Sequence, residues 1–271
     1  MNSQLSNAQM EALQHEHDHC TACACFRDKT WQLADAVMGL LYPQHAPKGA
    51  NIPENLAKVE QLLASILTAM QHPRQSIENH TKEFTDALPN IKAMAEEDAQ
   101  AIMDHDPAAE SIVEIKLAYP GFYSTAIYRI ANQLLIQGIE LLPRLMTEYA
   151  HRQTGIDIHP GAKIASPFVI DHGTGIVIGQ TAEIGTGVIM YQGVTLGASV
   201  VNKSLAQKKR HPTIGNDVIL YAGATILGGE TVIGDRSIIG GNVWLTESVP
   251  ADSVVTHKPE IRVKHRTENL V

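Results

Sequence analysis

The chain lacks any excess of basic charge, any long apolar run and any cysteine outside one short segment. Lysine and arginine total 21 against 29 aspartates and glutamates, a net charge of −8 with no basic stripe, which excludes nucleic acid as the expected partner. No stretch approaches the roughly 20 apolar residues that cross a bilayer. The N-terminus, MNSQLSNAQMEALQ, is polar and has no apolar signal core, so a cytoplasmic protein without a membrane partner is expected. The three cysteines all fall in HEHDHCTACAC, residues 15–25, which is no disulfide framework. Cys20, Cys23 and Cys25, with His15, His17 and His19, are of the types that soft metals take. Structural zinc sites usually have a second ligand pair downstream, and none follows here. Two readings of residues 1–28 therefore stand: a metal-binding segment, or a solvated, poorly ordered tail.

What is present begins with 44% apolar residues, enough for a sizeable core in 271 residues. Residues 29–154 read as a helical domain. In PENLAKVEQLLASILTAM, Leu56, Val59, Leu62, Leu63, Ile66, Leu67 and Met70 recur at three- and four-residue spacing, with Pro53 where a first helical turn tolerates it. Further helical patterns cover roughly 90–104, 109–118, 122–137 and 139–152.

At Gly155 the period changes. Aliphatic residues step by six through Ile158, Ile164 and Ile170; then Ile178, Ile184, Met190 and Leu196; then Ile214, Leu220 and Ile226; and finally Leu227, Ile233, Ile239 and Leu245. A six-residue beat matches neither helix nor simple strand. It describes a short strand and a turn repeated, three to a triangular coil, stacking into a parallel β-helix with an aliphatic interior. The expected β-helix domain spans 155–256, and 257–271 form a tail. The polar, basic stretch ASVVNKSLAQKKRHP, within 198–212, cannot continue the coil and must project from it as a loop.

DIHPGAKI (157–164), IDHGTGIVIGQTAEIG (170–185), GVTLG (193–197), RHPTIG (210–215) and AGATILGG (222–229) resemble the serine acetyltransferases in order and spacing. DPAAES (106–111) and YPGFYSTAIYR (119–129) resemble the helical region that precedes the β-helix in that family. The resemblance implies an α+β chain, a helical N-terminal domain followed by a left-handed parallel β-helix, assembled as a trimer or a dimer of trimers. It also implies transfer of an acetyl group from acetyl-CoA to the hydroxyl of L-serine, giving O-acetylserine for cysteine synthesis, with no metal required.

Serine's hydroxyl is protonated at neutral pH, so attack on a thioester needs a base, and an imidazole titrates in the right range. By motif match His172 is that base and Asp157 the carboxylate that holds its ring. Arg210 and His211 match the groups that take the substrate carboxylate, Arg by two parallel hydrogen bonds. Asp106 and Asp171 match those that meet the ammonium, while Gly197, Ala222 and Gly223 match positions along the CoA groove. His159 is expected to cap a turn. The tail ends TENLV, and an aliphatic terminus in this family docks in cysteine synthase, which makes that enzyme an expected partner.

The projecting loop is not the glycine-rich one usual in the family, and Ala198, Thr225 and THKPEIRV depart from its pattern near the cofactor groove. Another hydroxy amino acid or a sugar therefore stays open as acceptor. Two rivals also stand: a β-helix hydratase holding one zinc on His159, His172 and His211 across a subunit boundary, and a non-enzymatic assembly that works through its His/Cys-rich segment.

Overall fold

The structure, a computed structural model, describes residues 5–19, 24–199 and 208–258. Cys20 and Cys23, most of the projecting loop and the TENLV terminus lie outside these, as does the side chain of Cys25. Seven α-helices precede the strands among the described residues: α1 (Asn7–His19), α2 (Ala24–Leu41), α3 (Ile52–Ala69), α4 (Arg74–His105), α5 (Ile112–Ala118), α6 (Pro120–Ile136) and α7 (Leu142–Thr154). Residues 7–19 are thus a helix, exposed wherever its side chains are described, where the sequence suggested poor order.

The expected helix near 90–104 is the second half of α4, which runs through Pro89 without breaking. An interior proline costs about 3 kcal/mol. The buried stripe Phe84, Leu88, Ile91, Ala95, Ala99 and Ile102 continues on both sides of it and outweighs that penalty. Asn51 caps α3, its side chain accepting from the Glu54 N–H at 3.3 Å.

The strands are β1 (Asp157–Ile158), β2 (Lys163–Ile164), β3 (Phe168–Asp171), β4 (Val177–Ile178), β5 (Glu183–Ile184), β6 (Val188–Tyr191), β7 (Thr195–Gly197), β8 (Thr213–Ile214), β9 (Ile219–Leu220), β10 (Thr225–Leu227), β11 (Val232–Ile233), β12 (Ile238–Ile239), β13 (Trp244–Leu245) and β14 (Val254–Val255). All pair in parallel, in three sheets ordered β1-β4-β7-β10-β13, β11-β8-β5-β2 and β14-β12-β9-β6-β3. The hexad residues stack accordingly. One column holds Ile158, Ile178, Leu196, Ile226 and Leu245; a second Ile164, Ile184, Ile214 and Ile233; a third Ile170, Met190, Leu220, Ile239 and Val255. Leu227 departs from the expected beat. It pairs with Gly197 outside the interior, half-buried, and Ile233 resumes the column.

The helical domain packs on the third sheet at its first coils. Val169 joins the helical core, with Ile189 packed against it. Gly121 permits this contact, because a Cβ there would lie 3.0 Å from Ile170 Cβ and collide with the Ile170 carbonyl. Below the contact, Asp98 on α4 and Arg129 on α6 form a buried pair, 1% and 2% exposed. Asp98 accepts from Arg129 Nε (2.6 Å), Arg129 Nη2 (2.8 Å) and the Phe168 N–H (2.9 Å). Arg129 also donates to the Ile164 and Ala165 carbonyls, both at 3.2 Å. These bonds pin both helices to the first coil.

Candidate active site

The corner between the third and first sheets is built from backbone in the left-handed region. Gly155, Gly175, Gly193, Gly223 and Asn242 stack there with φ of 72°, 82°, 71°, 73° and 57°. Each coil hydrogen-bonds to the next, as in Gly175 N–H to the Gly155 carbonyl at 2.8 Å. His172 enters this corner from β3 with φ 58°, a conformation uncommon outside glycine, and its side chain is 73% exposed. Gly173 packs on Ile156 so closely that no side chain fits between them. The imidazole therefore interrupts the aliphatic beat because its corner turns it out of the interior.

Around His172 the structure gathers both expected ammonium ligands. Asp171, next to it, has Oδ1 at 3.9 Å from His172 Nε2. Asp106 follows the last residue of α4 and accepts from Tyr119 Oη at 2.7 Å and the Ala108 N–H at 2.8 Å. Those two bonds, with the charges of His105 and His172, hold the Asp106 carboxyl below the usual range. Ala222 and Gly223 share the same corner two coils above. Tyr119, His105 and Tyr191 complete this wall and were not expected as site residues. Adjacency to Asp106 could have pointed to His105, and the ladder pairing Asp171 with Tyr191 to the tyrosine.

Asp157 is not joined to His172 within one chain. Its carboxylate faces Arg144 Nη1 at 3.5 Å, beside Glu148 and His151 of α7. It lies on the coil directly below the His172 loop, one residue from the Ile156 side chain on which Gly173 rests.

Arg210, His211 and Gly197 stand at the other edge of the first sheet, beyond β4. Thr181 Oγ1 accepts the backbone N–H groups of Arg210 (2.9 Å) and His211 (3.1 Å), and Arg210 Nη2 donates to Gln180 Oε1 at 2.6 Å. His211 Nδ1 accepts from the Thr181 N–H at 3.1 Å, which assigns the proton of a neutral ring to Nε2. Burial, then Arg210 and Lys209, push His211 down to about 4 from its ordinary 6.5. The positive charge at this edge is therefore that of Arg210 and Lys209, the latter donating from Nζ to the Thr181 carbonyl at 3.0 Å. His159 Nδ1 accepts from the Gly161 N–H at 3.0 Å and caps its turn. Burial and nearby cations lower it to about 4 as well.

His159 and His211 thus lie at one edge and His172 at the other, and the three do not meet within a chain. Among the described residues only Glu148, His151 and Asp157 could together hold a metal ion, and Arg144 already pairs with two of them. A cleft of about 800 Å³ between α6 and the second sheet is lined by Tyr128, Asn132, Ile136, Lys163, Glu183 and Asn216, and by none of the expected site residues.

A plasmid serine acetyltransferase of Synechococcus elongatus is 44% identical over 235 residues, covering 84% of this chain and 69% of the relative. The chain belongs to the serine acetyltransferase family. The model of the family's N-terminal region, "Serine acetyltransferase, N-terminal", matches residues 50–126. Serine acetyltransferase 1 of Entamoeba histolytica, solved with L-cysteine, is 34% identical with a TM-score of 0.76, over 83% of this chain and 86% of that one. The Neisseria gonorrhoeae enzyme, solved with serine, is 27% identical with a TM-score of 0.60, over 86% and 94%. The fold and family implied by the motifs are those found, and the chain is an acyltransferase.

Proposed function

We propose that this serine acetyltransferase moves the acetyl group of acetyl-CoA to the hydroxyl of L-serine, in sites shared by two copies of the chain. The observation that carries the proposal is the division of the expected site residues between two edges of one narrow sheet. His172, Asp171, Asp106, Ala222 and Gly223 lie at one edge; Arg210, His211 and Gly197 at the other. An α-amino acid bridging the two charge sets needs the second edge from a neighbour, which a closed cyclic assembly such as a trimer supplies. The single-chain cleft by α6 is then no rival, since a shared site has only half its walls in one copy.

The chemistry follows from the placement. Asp106 and Asp171 take the ammonium, while Arg210 with the Nε2–H of neutral His211 takes the carboxylate. His172 removes the hydroxyl proton as oxygen attacks the thioester carbon, and passes it to the departing thiolate when the C–S bond breaks. Asp157, released from Arg144, steadies the imidazolium. The bare backbone of the corner lets the pantetheine arm lie close above His172. O-acetylserine so formed serves cysteine synthesis, and docking of the aliphatic terminus in cysteine synthase in the cytoplasm fits that role.

Mixing two crippled variants tests the shared site. His172→Ala lacks the base and Arg210→Ala lacks the carboxylate clamp. Denatured and refolded together in equal amounts, they should regain wild-type constellations in about one site in four. A mixture no more active than its components removes the two-chain site.

A further inference from the structure

Asp106 is anchored only on the helical side, through Tyr119 of the α5–α6 junction and the Ala108 N–H. Neither bond reaches Asp171 directly; through them Asp106 is tied to the β-helix only by way of Tyr119 and the close packing of Gly121 on Ile170. Two carboxylates on facing elements repel, which favours separation of the end of α4 from β3. One contact opposes this at the same level. His105 Nε2 and Tyr191 Oη lie 3.0 Å apart, and the rings meet edge-on with centroids at 6.0 Å.

Tyr191 is a firm post for such a latch. It pairs directly with Asp171 across the ladder, and its ring stacks on Tyr221 of the next coil at 5.2 Å and 9°. Burial first, then Asp171, Tyr221 and Asp106, raise its hydroxyl above the ordinary tyrosine value, so both carboxylates lie within electrostatic range of it.

We infer that His105 and Tyr191 are positioning residues for the acceptor: their hydrogen bond latches α4 onto the β-helix and fixes the gap between Asp106 and Asp171 that receives the ammonium. The inference rests on the acceptor site proposed above. An ammonium held by two carboxylates tolerates errors of only about 0.5 Å in their placement. Loosening the latch therefore weakens acceptor binding, whereas the base and the thioester are untouched.

The test is a kinetic double-mutant cycle on the full-length enzyme, with L-serine binding read separately by calorimetry. Tyr191→Phe keeps both ring contacts and removes the hydroxyl. It should raise KM and Kd for L-serine about 5- to 10-fold, with kcat and the KM for acetyl-CoA within about twofold of wild type. His105→Leu should match it, and the double variant should be no worse than either single, because all three lack the same bond. His105→Gln, whose amide nitrogen can replace Nε2, should restore most of the affinity. Unchanged serine affinity in Tyr191→Phe, or additive losses in the double variant, overturns the latch. A wild type that does not acetylate serine overturns the acceptor site as well, which separates the two failures.

Discussion

His172→Ala should reduce turnover by about 10²–10⁴ while leaving fold, assembly and cofactor affinity intact. The side chain is largely solvated in a single chain and takes no part in the interior columns, so its removal leaves no cavity. Its backbone sits at φ 58°, which alanine adopts less readily than histidine, so a modest drop in melting temperature is expected alongside. The remaining rate then comes from positioning alone. Turnover within a few-fold of wild type would remove His172 from the role of base.

The second large effect is on stability. Asp98→Ala strands the Arg129 guanidinium and the Phe168 N–H in an interior that water does not reach. Breaking one side of a buried pair typically costs about 3–5 kcal/mol. Urea unfolding should show that loss as a lower midpoint. The double substitution Asp98→Leu with Arg129→Met removes both charges and should recover part of it. A loss below about 1 kcal/mol in Asp98→Ala would mean that the pair is not what joins the helices to the first coil. Because α4 ends at His105 and leads directly into Asp106, the single variant should bind L-serine more weakly as well.

The β-helix was legible because every coil must send one aliphatic side chain inward per strand, and that requirement writes itself into sequence at a fixed spacing. Ile158 through Ile226 follow it directly. Leu227 misled because the chain takes an additional residue to the next column, and a one-residue change in a three-residue strand exchanges inside for outside. The helix through Pro89 was missed because local chemistry argues for a break there, while the decisive burial is tertiary.

Short motifs pointed to His172, Asp171 and Asp106, which the fold sets at one corner. They did not point to the tyrosines, since Tyr191 acquires its place only when coils stack and bring it beside Asp171. The Asp98–Arg129 pair joins residues 31 apart on separate helices, and neither carries a local signal of burial. Asp157 shows the reverse. Its motif announces a partner for His172, yet in a lone chain Arg144 holds it.

Release of free thiol from acetyl-CoA, followed with L-serine, D-serine, homoserine, O-phosphoserine and amino sugars as acceptors, is the most direct measurement. Release should require L-serine, yield one O-acetylserine for each thiol, and fall by orders of magnitude with the other acceptors. Faster release with a sugar or with another hydroxy amino acid, or release indifferent to L-serine, would contradict an acceptor held between Asp106, Asp171 and Arg210.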